Sequence, residues 1–64
     1  MTGKIHRLIK DKRYGFIRDK QNNDYFFHAS SIKNADFDYL EVGTEVEFED
    51  EDTEKGLRAS DIYV

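Results

Sequence analysis

Tyr14, Phe16 and Arg18 fall at alternate positions, as do Phe26 and His28, and the cations Arg7 and Lys12 stand nearby. Rings interleaved with cations suit one chemistry above others. The bases of an unpaired strand stack on the ring faces while Lys or Arg tracks the phosphates. Each stack contributes about 1–3 kcal/mol and tolerates any sequence, because every base has a π face. Other chemistries find less support. Asp24 and His28 share a strand face but stand about 13 Å apart along it. His6 and His28 approach only across strands, and neither arrangement resembles a zinc set. Cys is absent, which excludes disulfides and thiolate sites. Glu49-Asp50-Glu51-Asp52 lacks the ligand spacing and mid-loop Gly of a calcium loop, so residues 50–55 read as a solvated acidic turn. No metal, cofactor or catalytic residue is expected, and the chain does not read as an enzyme.

To act together, these side chains must lie on one face of a sheet. Period-two alternation with β-branched and aromatic residues recurs along the chain. It predicts strands over residues 3–10, 13–18, 24–28, 44–49 and 57–63. Gln21-Asn22-Asn23-Asp24 is a run of turn formers between the second and third. Residues 30–32 and 35–40 alone leave room for helical turns. There is no repeat or linker, and Pro is absent. Residues 1–64 read as a single all-β domain, a five-stranded antiparallel barrel of the OB type, because closure removes the edges of a small sheet. An SH3-like barrel is the second architecture that fits.

Both faces of the second and third strands are apolar, and the polar residues decide which faces water. Arg18 and His28 belong outside, so Tyr14, Phe16 and Phe26 go outside with them, while Ile17, Tyr25 and Phe27 enter the core. The expected result is a solvent-facing strip of three rings bordered by His28, Arg18, Lys12 and Arg7. An apolar side chain left in water forgoes roughly 1.5–3 kcal/mol. A contiguous exposed aromatic patch normally marks a binding site. Two other readings stand beside this one. The rings could form a second small core under the 29–42 loop, or the strip could take a Pro-rich peptide or a partner domain.

Charge sharpens the choice. Ten basic and fourteen acidic residues give a net −4, which argues against bulk attraction to a polyanion. The distribution is uneven. Residues 1–20 carry seven basic and two acidic side chains (net +5), and residues 41–64 carry two basic and nine acidic (net −7). The basic third, with Lys4, Arg7, Lys12 and Arg18, can face a phosphate backbone while the acidic third faces solvent. Apolar runs reach only two or three residues, so no membrane span or signal peptide fits. A cytoplasmic monomer is expected.

The motifs also resemble a known family. Lys12-Arg13-Tyr14-Gly15-Phe16-Ile17-Arg18 resembles the RNP1 pattern. Tyr25-Phe26-Phe27-His28 resembles the RNP2 pattern of cold-shock proteins. The order, RNP1-like strand first and no strong helices, is similar to a cold-shock domain rather than an RRM. The resemblance to bacterial cold-shock proteins runs the whole length, through Gly3-Lys4-Ile5, Phe26-Phe27-His28-Ala29-Ser30-Ser31-Ile32 and Leu40-Glu41-Val42-Gly43-Thr44-Glu45-Val46-Glu47-Phe48. It implies that Lys12 contacts the bound strand, that Tyr14, Phe16, Phe26 and His28 stack on bases, that Phe37 is a loop aromatic packing on a base, and that His6 borders the site. It also implies single-stranded RNA or DNA as partner, often pyrimidine-rich, and a role as RNA chaperone or antiterminator.

The sequence departs from the family at four places. Arg7 stands where the family usually has Trp, Ala29 where it often has Phe, Leu57 for a Pro, and Arg13 for a Gly. Two lost stacks remove about 2–6 kcal/mol. Micromolar binding, about −8 kcal/mol, is therefore expected.

Overall fold

Apolar–polar alternation resolves into five strands in the computed structural model, which describes residues 1–64. They are β1 (Thr2–Ile9), β2 (Tyr14–Arg18), β3 (Asp24–His28), β4 (Glu45–Thr53) and β5 (Gly56–Tyr63). They close into a barrel of the OB type in the order β1-β2-β3-β5-β4. Four of the neighbour pairs are antiparallel, whereas β3 and β5 run parallel, with Phe26 opposite Arg58. This corrects the expectation of an all-antiparallel barrel. Strand directions cannot alternate all the way round a closed ring of five, so one neighbouring pair must be parallel.

The inward positions form one core. Ile5, Ile17, Tyr25, Phe27, Phe37, Leu40, Val46, Phe48, Ala59 and Ile62 are buried. Tyr25 keeps its ring inside against Phe48, at 4.9 Å between centroids. Its hydroxyl donates to Asp19 Oδ2 at 3.0 Å. Burial and the Asp19 carboxylate together push the Tyr25 phenol above its ordinary value. Leu8, Ala29, Ile32 and Leu57 pack around this core half-buried.

The 29–44 connection holds single 3-10 turns at Ala29–Ser31 and Phe37–Tyr39, in the stretches the sequence leaves for helical turns. A third, Lys10–Lys12, joins β1 to β2. The acidic stretch differs from expectation. Glu49, Asp50, Glu51, Asp52 and Thr53 continue β4, paired in order with Ser60, Ala59, Arg58, Leu57 and Gly56. The turn shrinks to Glu54-Lys55. The carboxylates on this hairpin are exposed, so water solvates their charges while the backbone is laddered.

Candidate nucleic-acid interface

Strand register assembles the ring face row by row. Arg7 pairs with Phe16, Phe16 with Phe26, and Phe26 with Arg58, which makes one row across four strands. Ile9, Tyr14 and His28 form the next row, and Lys4, Arg18 and Asp24 the row on the other side. Paired residues on neighbouring strands share a face. Tyr14, Phe16 and Phe26 are half-buried, while Ile17, Tyr25 and Phe27 are buried behind them. The parity argued from Arg18 and His28 therefore holds.

The three rings touch one another. Centroids lie 5.4 Å apart for Tyr14–Phe26, 5.9 Å for Phe16–Phe26 and 6.2 Å for Tyr14–Phe16. The last two meet edge to face, the arrangement that a ring quadrupole favours. Mutual support of this kind holds the rings in place without burying them.

Arg7 reaches this face through a β-bulge. Lys4 and Ile5 pair with Arg18 and Ile17, but the next pair is Arg7 with Phe16, so His6 is an extra residue in β1. In a regular strand Arg7 would point the same way as the buried Ile5; the bulge turns it to the outer side. Gly15 permits this close crossing. A Cβ there would lie 2.5 Å from the Arg7 carbonyl oxygen and 2.9 Å from the Phe27 ring. The Gly of the Tyr-Gly-Phe motif is thus required by the approach of β1.

The polar neighbours differ in availability. Lys4, His6, Arg7 and Lys12 are exposed. Lys4, Arg7 and Lys12 take no part in the chain's three ion pairs. Arg18 lies on the ring side as expected, but Asp24 holds it. Its Nε donates to Asp24 Oδ1 at 2.7 Å and its Nη2 to Oδ2 at 3.1 Å. That hydrogen bonding keeps the Asp24 carboxyl below its usual range against the opposing effect of desolvation, with the Arg18 charge adding a smaller share. Arg18, expected to border the ring strip and supply charge, borders it as half of a cross-strand pair. His28 is exposed beside Tyr14, and its Nδ1 accepts the Ser30 backbone N–H at 3.1 Å. In the neutral ring the proton therefore sits on Nε2, and the imidazole is held at the start of the 29–31 turn.

Phe37 is the clear correction. It is 2 % exposed, and its ring meets Phe27 at 6.2 Å between centroids. Lys10 Nζ lies 5.3 Å from that ring and the Arg13 guanidinium 5.6 Å, closing it off from solvent. Lys10 Nζ also donates to the carbonyls of Phe37, Asp38 and Leu40, each at 3.1 Å, and Arg13 pairs with Asp38 at 3.0 Å. Two basic residues of the first third thus brace the loop and leave Phe37 no free face for a base. In a 3-10 turn, Leu40 follows Phe37 on the inner side and Tyr39 points elsewhere. Tyr39 is 84 % exposed.

Arg58 escaped the sequence reading. It lies next to Phe26 only because β3 and β5 pair in parallel, and local patterning cannot reveal a partner more than thirty positions away.

The whole chain, residues 1–64, matches the family model described as 'Cold-shock' DNA-binding domain. It is 39% identical over 62 residues to the cold shock-like protein CspE of Bacillus anthracis, covering 97% of this chain and 92% of that protein. Cold shock protein 1 of Lactiplantibacillus plantarum is 40% identical over 61 residues, 95% of this chain and 92% of its own length. A cold shock-like protein of Thermotoga maritima is 38% identical over 64 residues, 100% and 97% of the two chains.

Proposed function

We infer the function of this chain from its family: it belongs to the cold-shock DNA-binding domain family, and it binds single-stranded RNA or DNA on the outer face of β1–β3. Tyr14, Phe16, Phe26 and His28 offer stacking faces, and Lys4, His6, Arg7 and Lys12 supply charge or border the strand. The observation that carries this reading is the cluster of three half-buried rings in mutual contact beside the unpaired Arg7. No bond is made or broken. Stacking energy favours the unpaired form of the nucleic acid, which is the action of an RNA chaperone or antiterminator.

With Arg7 and Ala29 in place of rings, affinity falls in the micromolar range, about −8 kcal/mol. Titration of a fluorescent pyrimidine heptamer at several salt concentrations tests this. Expected is saturable binding whose log–log salt slope is about −0.7 for each phosphate neutralised. No binding at about 100 μM rejects the proposal. Salt-insensitive docking of a Pro-rich peptide on the same face points instead to a protein partner.

A further inference from the structure

We propose that Arg58 is the far phosphate contact of the nucleic-acid strip, so that the bound strand crosses onto β5. The assignment presupposes that the ring face binds single-stranded nucleic acid, and it adds a contact outside the two ring motifs. Arg58 is exposed, and it ends the row Arg7–Phe16–Phe26–Arg58. With neighbouring strands about 4.8 Å apart, that row runs about 14 Å from cation to cation, with two rings between. The chain's ion pairs engage Arg13, Arg18 and Lys33, which leaves the Arg58 guanidinium without a carboxylate partner. Glu51 is opposite Arg58 on β4, yet the two form no ion pair. A planar fork of donors beside a stacking ring suits a phosphate that follows a stacked base. Beyond it, Glu51 and its neighbours on β4 place negative charge, which repels the strand and ends the track at Arg58.

The test compares wild-type protein with Arg58→Ala, Arg58→Lys and Glu51→Gln in salt-dependent titrations of a fluorescent oligothymidine. Thermal unfolding of each variant runs in parallel. Arg58→Ala is expected to keep its thermal midpoint, to bind roughly three- to tenfold more weakly, and to lose about 0.7 from the log–log salt slope. Arg58→Lys keeps the slope and recovers part of the affinity. Glu51→Gln tightens binding. If Arg58→Ala binds like wild type while Phe26→Ala does not bind, the strand stops short of β5 and the assignment is overturned, with the ring-face reading intact. Weakened binding at an unchanged salt slope also overturns it, because the side chain then packs rather than neutralises. If the wild-type protein itself fails to bind, both readings fall together.

Discussion

Replacing Phe37 and Phe16 separates a core ring from a surface ring. Phe37 is 2 % exposed, packs on Phe27 and lies under Lys10 and Arg13. Truncating a buried Phe to Ala typically removes about 3–5 kcal/mol. A core in a chain of this size supplies rarely more than about 3–5 kcal/mol in total. Phe37→Ala should therefore leave much of the population unfolded at room temperature. Phe37→Leu keeps most of the volume and should fold with its oligonucleotide affinity intact. Phe16 is half-buried and has lateral ring contacts with Phe26 and Tyr14. Each such contact contributes about 0.5–1.5 kcal/mol, so Phe16→Ala should lose about 1–3 kcal/mol, less than Phe37→Ala, and keep most of its population folded. Its midpoint should fall by about 4–8 °C for each kcal/mol. Its affinity should fall by one base stack, roughly 5- to 150-fold. Circular dichroism melts and oligonucleotide titration on the same samples read both quantities. If Phe37→Leu folds normally yet loses affinity on the scale of Phe16→Ala, Phe37 faces the ligand and the core packing described above is wrong.

Other substitutions test other links. Asp24 and Asp19 both have depressed carboxyl pKa values, Asp24 chiefly from the Arg18 hydrogen bond and Asp19 chiefly from the Asn23 backbone N–H. A depressed folded-state value stabilises above the unfolded value of about 3.9, and this stability is lost as pH falls through the folded value. Melting midpoints should therefore drop on acidification below about pH 4, and the drop should shrink in Asp24→Asn. Arg13 adopts a left-handed backbone with φ of 59°. Arg13→Ala and Arg13→Gly lose the same side-chain contacts, but Gly tolerates that backbone, so the Gly variant should be more stable by about 1 kcal/mol in urea denaturation. Lys10→Met removes a charged donor from three carbonyls and should destabilise by about 1–3 kcal/mol. Hydrogen exchange should then quicken at Tyr39 and Leu40, whose amides bond within the same loop.

The outer side of β2 and β3 was legible because Arg18 and His28 break the symmetry of two otherwise apolar faces. Parity then fixes Tyr14, Phe16 and Phe26. The same rule fails in β1, where one extra residue at His6 reverses the direction of everything after it. Charge counting could not rank the cations of the basic third, because a cation's availability depends on partners that folding brings close: Phe37 and Asp38 for Lys10 and Arg13, Asp24 for Arg18. Phe37 entered the site only through the family resemblance, which implies a loop aromatic packing on a base there. The Phe37 ring is buried against Phe27, ten positions earlier on β3. The β4 extension was hidden by its carboxylates, which read as a turn but ladder in register against residues 56–60 of β5 while their charges stay in water.

The barrel is stitched unevenly. β1, β2 and β3 form a continuous meander and β4 and β5 a long hairpin, while β3 meets β5 through a single registered pair, Phe26 with Arg58. That seam is where the barrel can open with the fewest broken ladder bonds, while three pairs between β1 and β4 keep the halves joined, and amides flanking it should exchange before those of either half. Any ligand that grips both sides of the seam acts as a splint, slowing local opening and raising the temperature at which the seam gives way.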